Sequence, residues 1–143
     1  MLGGSRSFLI LLAILNALTV VGMLYAVVST DTYYEDTDDF GGNPAHCQGS
    51  AYHNFTVTGS CNYTYSYSTS VFHNGQFVDD DYDSDSGVGP ANFTKLSFVS
   101  GIANAVFAPH YTNGSHGSYI QNDDNPDDWD QDTGSSNDFR TTD

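Results

Sequence analysis

Tyr63-Thr64-Tyr65-Ser66-Tyr67-Ser68-Thr69-Ser70-Val71-Phe72-His73-Asn74-Gly75-Gln76-Phe77-Val78 is the stretch that decides the fold. Tyr63, Tyr65, Tyr67, Thr69 and Val71 alternate with Thr64, Ser66, Ser68 and Ser70. A period of two places the first set on one face of an extended strand. Asn74-Gly75 then fits a two-residue type I′ turn, since both residues tolerate positive φ. That loop would pair His73 with Gln76, Phe72 with Phe77 and Val71 with Val78, so that apolar residues meet on both faces.

The same period extends outward from this hairpin. Phe55 and Val57 alternate with Asn54, Thr56 and Thr58, and Phe93 to Val99 reads as a further strand. Ile102 to Ala108 fits a strand or a short helix equally well. Tyr111 to Ile120 reads as a second hairpin around Asn113-Gly114. Residues 45–121 are therefore expected to form a small antiparallel β-sandwich-like domain, with Tyr and Phe supplying most of the burial. Residues 29–44 contain Asp31, Glu35, Asp36, Asp38 and Asp39 with Gly41-Gly42 and Pro44 as breakers, and read as an acidic spacer. Residues 122–143 are rich in Asn, Asp, Gly, Ser and Thr and read as a disordered acidic tail.

Before the spacer, Phe8 to Val28 carries no charge. At ~1.5 Å per residue a helix of that length spans about 30 Å, the thickness of a bilayer's hydrocarbon core. Residues 1–7, with Arg6, form a short stub, and acidic residues crowd the other flank. That asymmetry predicts a single-pass signal anchor in the cell or virion membrane, N-terminus cytoplasmic and the rest outside. Cleavage near Ser29 with secretion is the alternative. Asn16, Thr19, Gly22 and Ala26 share one helix face at spacings that can seat a second helix, so the expected partners are the lipid bilayer and a further copy of the helix.

Charge narrows the setting. Seventeen of the 18 acidic residues are Asp, and beyond the apolar stretch they face only Lys95 and Arg140, a net charge of −16. Nucleic acid is excluded as a partner by repulsion. Dominant Asp with almost no Lys resembles the composition of proteins from salt-loving archaea and their viruses. Self-repulsion of this size is relieved only where the Debye length is short, about 3 Å at 1 M salt.

Candidate site residues follow from that location. Cys47 and Cys61, with thirteen residues between them, are expected to form a disulfide outside the membrane. Asn54, Asn62, Asn92 and Asn113 each open an Asn-x-Ser/Thr sequon and are candidate glycosylation sites, Asn113 foremost because it would stand at a turn tip. Asp81-Tyr82-Asp83-Ser84-Asp85-Ser86-Gly87 recurs as Asp128-Trp129-Asp130-Gln131-Asp132-Thr133-Gly134. On loops, Asp81, Asp83 and Asp85, and likewise Asp128, Asp130 and Asp132, could converge on calcium. The pattern resembles the opening of an EF-hand calcium loop, but glycine stands seventh and not sixth, and Asn92 and Phe139 occupy the twelfth places where Glu is needed. His46, His53, His73, His110 and His116 have no zinc-binding spacing and read as strand or turn residues. No nucleophile elbow or phosphate loop occurs, so no enzymatic activity and no catalytic residue is expected.

The expectation is thus a surface protein of a halophilic archaeon or its virus with a structural or adhesive role in envelope, coat or attachment. A pilin-type filament subunit and a calcium- or ligand-binding surface module are the alternatives.

Overall fold

The computed structural model describes residues 26–104 and 108–141. Seven strands follow one another: β1 (Val28–Asp39), β2 (Ala45–Val57), β3 (Asn62–His73), β4 (Gln76–Val88), β5 (Ala91–Ala103), β6 (His110–Asn122) and β7 (Trp129–Arg140). They make two antiparallel sheets, ordered β1-β2-β5 and β4-β3-β6-β7. Strands β1 and β2, β3 and β4, and β6 and β7 are hairpins. The chain changes sheet from β2 to β3, from β4 to β5 and from β5 to β6. The result is a seven-strand, two-layer antiparallel sandwich.

The hairpin read from the sequence is β3, its turn and the start of β4. Asn74 and Gly75 both hold positive φ, 47° and 77°, and His73 pairs with Gln76 and Phe72 with Phe77. The predicted pairing of Val71 with Val78 fails. A bulge at Val78 puts Asp79 opposite Val71. One extra residue exchanges the two faces of a strand. Beyond the bulge Asp79, Asp81, Asp83 and Asp85 therefore stand opposite Val71, Thr69, Tyr67 and Tyr65, on the side turned toward the other sheet.

Several boundaries also move. The predicted spacer is largely β1, paired along β2 from Val28 to Asp39. The predicted disordered tail contains β7, paired along its whole length with β6. Asn113-Gly114 is no turn, because β6 runs straight through it with β3 on one side and β7 on the other. A turn there would forfeit ladder bonds on both flanks.

Residues 1–25 lie outside the described residues, and with them most of the predicted span 8–28, including Asn16, Thr19 and Gly22. Its last residues belong to the sandwich. Val28 is a core residue, Ala26 packs on the same core, and Val27 exchanges backbone and hydroxyl bonds with Thr58. Ala26 therefore faces Gly59 and the sandwich core, not a second helix. Among the described residues no helix is long and apolar enough to cross a membrane.

The interior has two apolar ends. One gathers Val28, Phe55, Val57, Cys61, Tyr63, Tyr65, Tyr67 and Ile120. Its rings meet at centroid distances of 4.9 Å for Phe55–Tyr65 and 5.3 Å for Phe55–Phe93, and each buried ring contributes about 2 kcal/mol. The other end is built of smaller residues, Ala45, Cys47, Val71, Val99 and Ala103. Gly49 lets the sheets close there, since a Cβ on it would lie 2.6 Å from Val71 Cγ2. Between the two ends the core is polar.

Candidate functional site

The twin Asp repeats are strands, and strands hold carboxylates apart. Alternate positions on one strand are about 6.7 Å apart, whereas calcium takes its oxygens at about 2.3–2.6 Å. The structure brings neither Asp81, Asp83 and Asp85 nor Asp128, Asp130 and Asp132 onto one centre, so the calcium loops expected there are not assembled.

The second repeat has a different job. Strands β1 and β7 lie side by side in opposite sheets, and carboxylates of β7 and of Asp128 just before it accept the outward N–H groups of β1. Val28 N–H donates to Asp128 Oδ1 (3.4 Å), Thr30 N–H to Asp130 Oδ2 (2.9 Å) and Thr32 N–H to Asp132 Oδ2 (2.7 Å). Each acceptor lies one hundred positions after its donor. A bulge at Tyr34-Glu35 then adds a residue to β1, and the offset drops by one. Thr37 and Ser136 share a hydroxyl bond, and Asp39 N–H donates to Asp138 Oδ2 (2.9 Å). Glu35, at the bulge, turns toward Gly134 and accepts the Ser135 N–H; burial, and secondarily Asp132, still push its carboxyl above the usual range. Side chains thus close an edge that would otherwise be open to pairing with another chain. The first repeat does this once on the opposite side, where Phe98 N–H of β5 donates to Asp81 Oδ2 (3.0 Å). Asp83 accepts the Tyr67 hydroxyl (3.1 Å), and Lys95 sits 5.6 Å from the Tyr65 ring centroid.

The cysteines form no disulfide. Both are buried free thiols, one in each apolar cluster. The length of β2 separates them: ten strand residues from Cys47 to Val57 span about 33 Å, against the ~7 Å limit on Cα separation in a disulfide.

Three sequons lie within strands and the fourth opens one, none at a turn tip. Asn54 and Asn92 are neighbours on the outer face of the β1-β2-β5 sheet, Asn92 exposed and Asn54 accepting the Thr94 hydroxyl (3.3 Å). Asn62 opens β3 and holds Asp124 through both its backbone and its amide. Asn113 is half-buried in β6.

Four histidines are buried, which the sequence reading missed. His53 bonds Thr32 Oγ1 through Nδ1 (3.1 Å) and Ser97 Oγ through Nε2 (2.7 Å). Ser97 bonds Thr69, Thr69 bonds His116 Nδ1 (3.0 Å), and His116 Nε2 bonds Ser136 (2.8 Å). This chain crosses the core from β1 to β7, and burial pushes His53 down to about 4 and His116 also downward.

The other two buried histidines meet the buried acid and thiol. Asp39 closes β1, Cys47 is the third residue of β2, His73 ends β3 and His110 opens β6. All four are at most 2 % exposed. Asp39 Oδ2 lies 3.4 Å from His73 Nε2 and accepts the Thr112 hydroxyl at 2.6 Å. Its Oδ1 accepts Gly41 N–H (2.7 Å), Thr112 Oγ1 is 3.3 Å from Cys47 Sγ, and His73 Nε2 is 3.1 Å from His110 Nδ1. Burial pushes the Cys47 thiol up and His73 down. A signal existed in the inward face of β6, which reads His110, Thr112, Gly114, His116, Ser118.

On the outer face of the β1-β2-β5 sheet, Tyr33, Tyr34 and Tyr52 form a ring cluster with centroids 5.1–6.3 Å apart. Leu96 pairs with Tyr52 and Phe98 with Ser50, and both are about half exposed.

No protein family is matched by the chain, and no curated protein matches it in sequence. Among solved structures it is similar to part of a calcium-binding mutant of Bacteroides uniformis beta-glucuronidase 2, at 6 % identity and a TM-score of 0.43. The match covers 80 % of this chain and 14 % of that one.

Proposed function

We propose that this chain is a membrane-tethered surface protein of a halophilic archaeon or its virus, with a structural or adhesive role. The observation that carries the contact role is the outer face of the β1-β2-β5 sheet. There Tyr34, Tyr52, Leu96 and Phe98 stand in solvent beside the half-buried Tyr33, on an otherwise strongly acidic domain. Contiguous exposed apolar surface of this kind marks interaction sites. The tether rests on the uncharged stretch before residue 26. Because Ala26 and Val28 already pack in the sandwich, the domain would sit directly on the membrane without a spacer. A pilin-type subunit would continue its helix past the apolar stretch, where this chain starts β1.

Intact cells or virions carrying the protein test this reading. Added protease should remove the region after Asp31, and Tyr34→Ser with Phe98→Ser should abolish attachment or coat incorporation while leaving thermal stability unchanged. Protection of the domain until lysis would overturn the topology, and full attachment by the double variant would overturn the contact role.

A further inference from the structure

We propose that Asp39, Cys47 and His73 form a binding site for a single zinc-class divalent metal ion, which staples the two sheets at one end of the sandwich. Among the described residues this is the one place where three such donors come together, with a carboxylate oxygen, a thiol sulfur and an imidazole nitrogen all within 4.8 Å of one another. The donors come from three strands: β1 and β2 supply Asp39 and Cys47 from one sheet, and β3 supplies His73 from the other. His110 Nδ1 lies 3.1 Å from His73 Nε2, outside the three-donor group.

Chemistry favours a metal over a bare hydrogen-bonded cluster. Asp39 is fully buried, and its oxygens meet only the Gly41 N–H, the Thr112 hydroxyl and, at 3.4 Å, the His73 ring. A buried anion without a cation is costly, and a divalent ion removes that cost. A carboxylate oxygen, a thiolate sulfur and an imidazole nitrogen are the donor types that tetrahedral zinc takes. The Thr112 hydroxyl, bonded to Asp39 and close to Cys47 Sγ, fixes the orientation of ligands from outside the site, as outer-shell groups do in metal centres. A cleft lined by His73, Phe77, Val78 and Ile102 opens at the same end. In a domain whose cysteines cannot pair, such a cross-sheet bond would do the work of a disulfide.

The full chain in detergent, unfolded and refolded with zinc chloride, cobalt chloride or EDTA, tests this. About one zinc per chain should survive dialysis, and the melting temperature should rise by ~10 °C or more over the EDTA sample. The cobalt form should show a sulfur-to-cobalt charge-transfer band with tetrahedral visible bands. Cys61→Ser should keep that band and Cys47→Ser should lose it. If Cys47→Ser does not fold, X-ray absorption on the wild-type zinc protein should find one sulfur in the first shell. Equal melting temperatures with zinc and EDTA and no retained metal would overturn the proposal, as would a metal shell without sulfur.

Discussion

Asp132→Ala separates two roles for the acidic residues of β7 by the sign of its effect. If Asp132 is merely one of many solvated charges, removing it relieves repulsion and the domain gains slightly. If it seals the β1 edge, the variant loses the acceptors for Thr32 N–H at 2.7 Å and Thr133 N–H at 2.9 Å. A hydrogen bond to a charged group is worth about 1.5–3 kcal/mol, and water replaces part of it at a half-exposed position. A loss of about 2 kcal/mol remains, or ~10 °C in melting temperature for a domain of this size. Asp132→Asn keeps one carbonyl oxygen and should lose roughly half as much. The assay is thermal and guanidinium unfolding at molar potassium chloride, where screening has already removed most of the long-range repulsion. Asp80→Ala, at an exposed site on β4, is the control and should fall within about 0.5 kcal/mol of wild type. An Asp132→Ala protein as stable as the Asp80→Ala control would refute the edge-sealing role.

Three further outcomes follow from the same structure. Thiol reagents should label neither Cys47 nor Cys61 in the native protein and both after unfolding, and reductant should leave the melting temperature unchanged; a reductant-sensitive melt would contradict the free thiols. Stability should fall as pH drops from about 6.5 to about 4, because the unfolded chain takes up a proton that native His53 refuses in that window. Above it both states are neutral. The group accounts for about 3 kcal/mol, His116 adds in the same direction, and a His53→Gln variant with an unaltered pH slope would count against this. Gly75→Ala should cost about 1 kcal/mol through backbone strain alone, since φ is 77° and nothing lies within 4 Å of the added methyl; a neutral result would mean that the turn relaxes.

How far the sequence reached is visible strand by strand. β3 alternates large and small residues and ends in Asn-Gly, so its extent and its turn were legible, and β2 and β5 carried enough Phe and Val to be found in part. Strands β1 and β7 were not, because periodicity detects a contrast between faces and both faces of these strands are polar. Their order comes from partners: β7 is held by the β6 ladder, and its aspartates are satisfied by N–H groups about one hundred positions earlier in the chain. β6 inverts the usual pattern, with His, Thr and Ser inward and Tyr111 and Tyr119 outward. Local rules therefore place a turn at Asn113-Gly114. The bulge at Val78 carries a similar lesson, since one extra residue decides whether a row of aspartates faces solvent or the opposite sheet. Composition and local alternation by themselves determined an acidic, antiparallel β protein behind an apolar N-terminal stretch. Only the tertiary structure decided that the cysteines stay apart, that the aspartates close a strand edge and that Asp39, Cys47 and His73 meet. A buried polar group is tolerated only where its hydrogen-bond partners converge, and here those partners lie on strands distant in sequence.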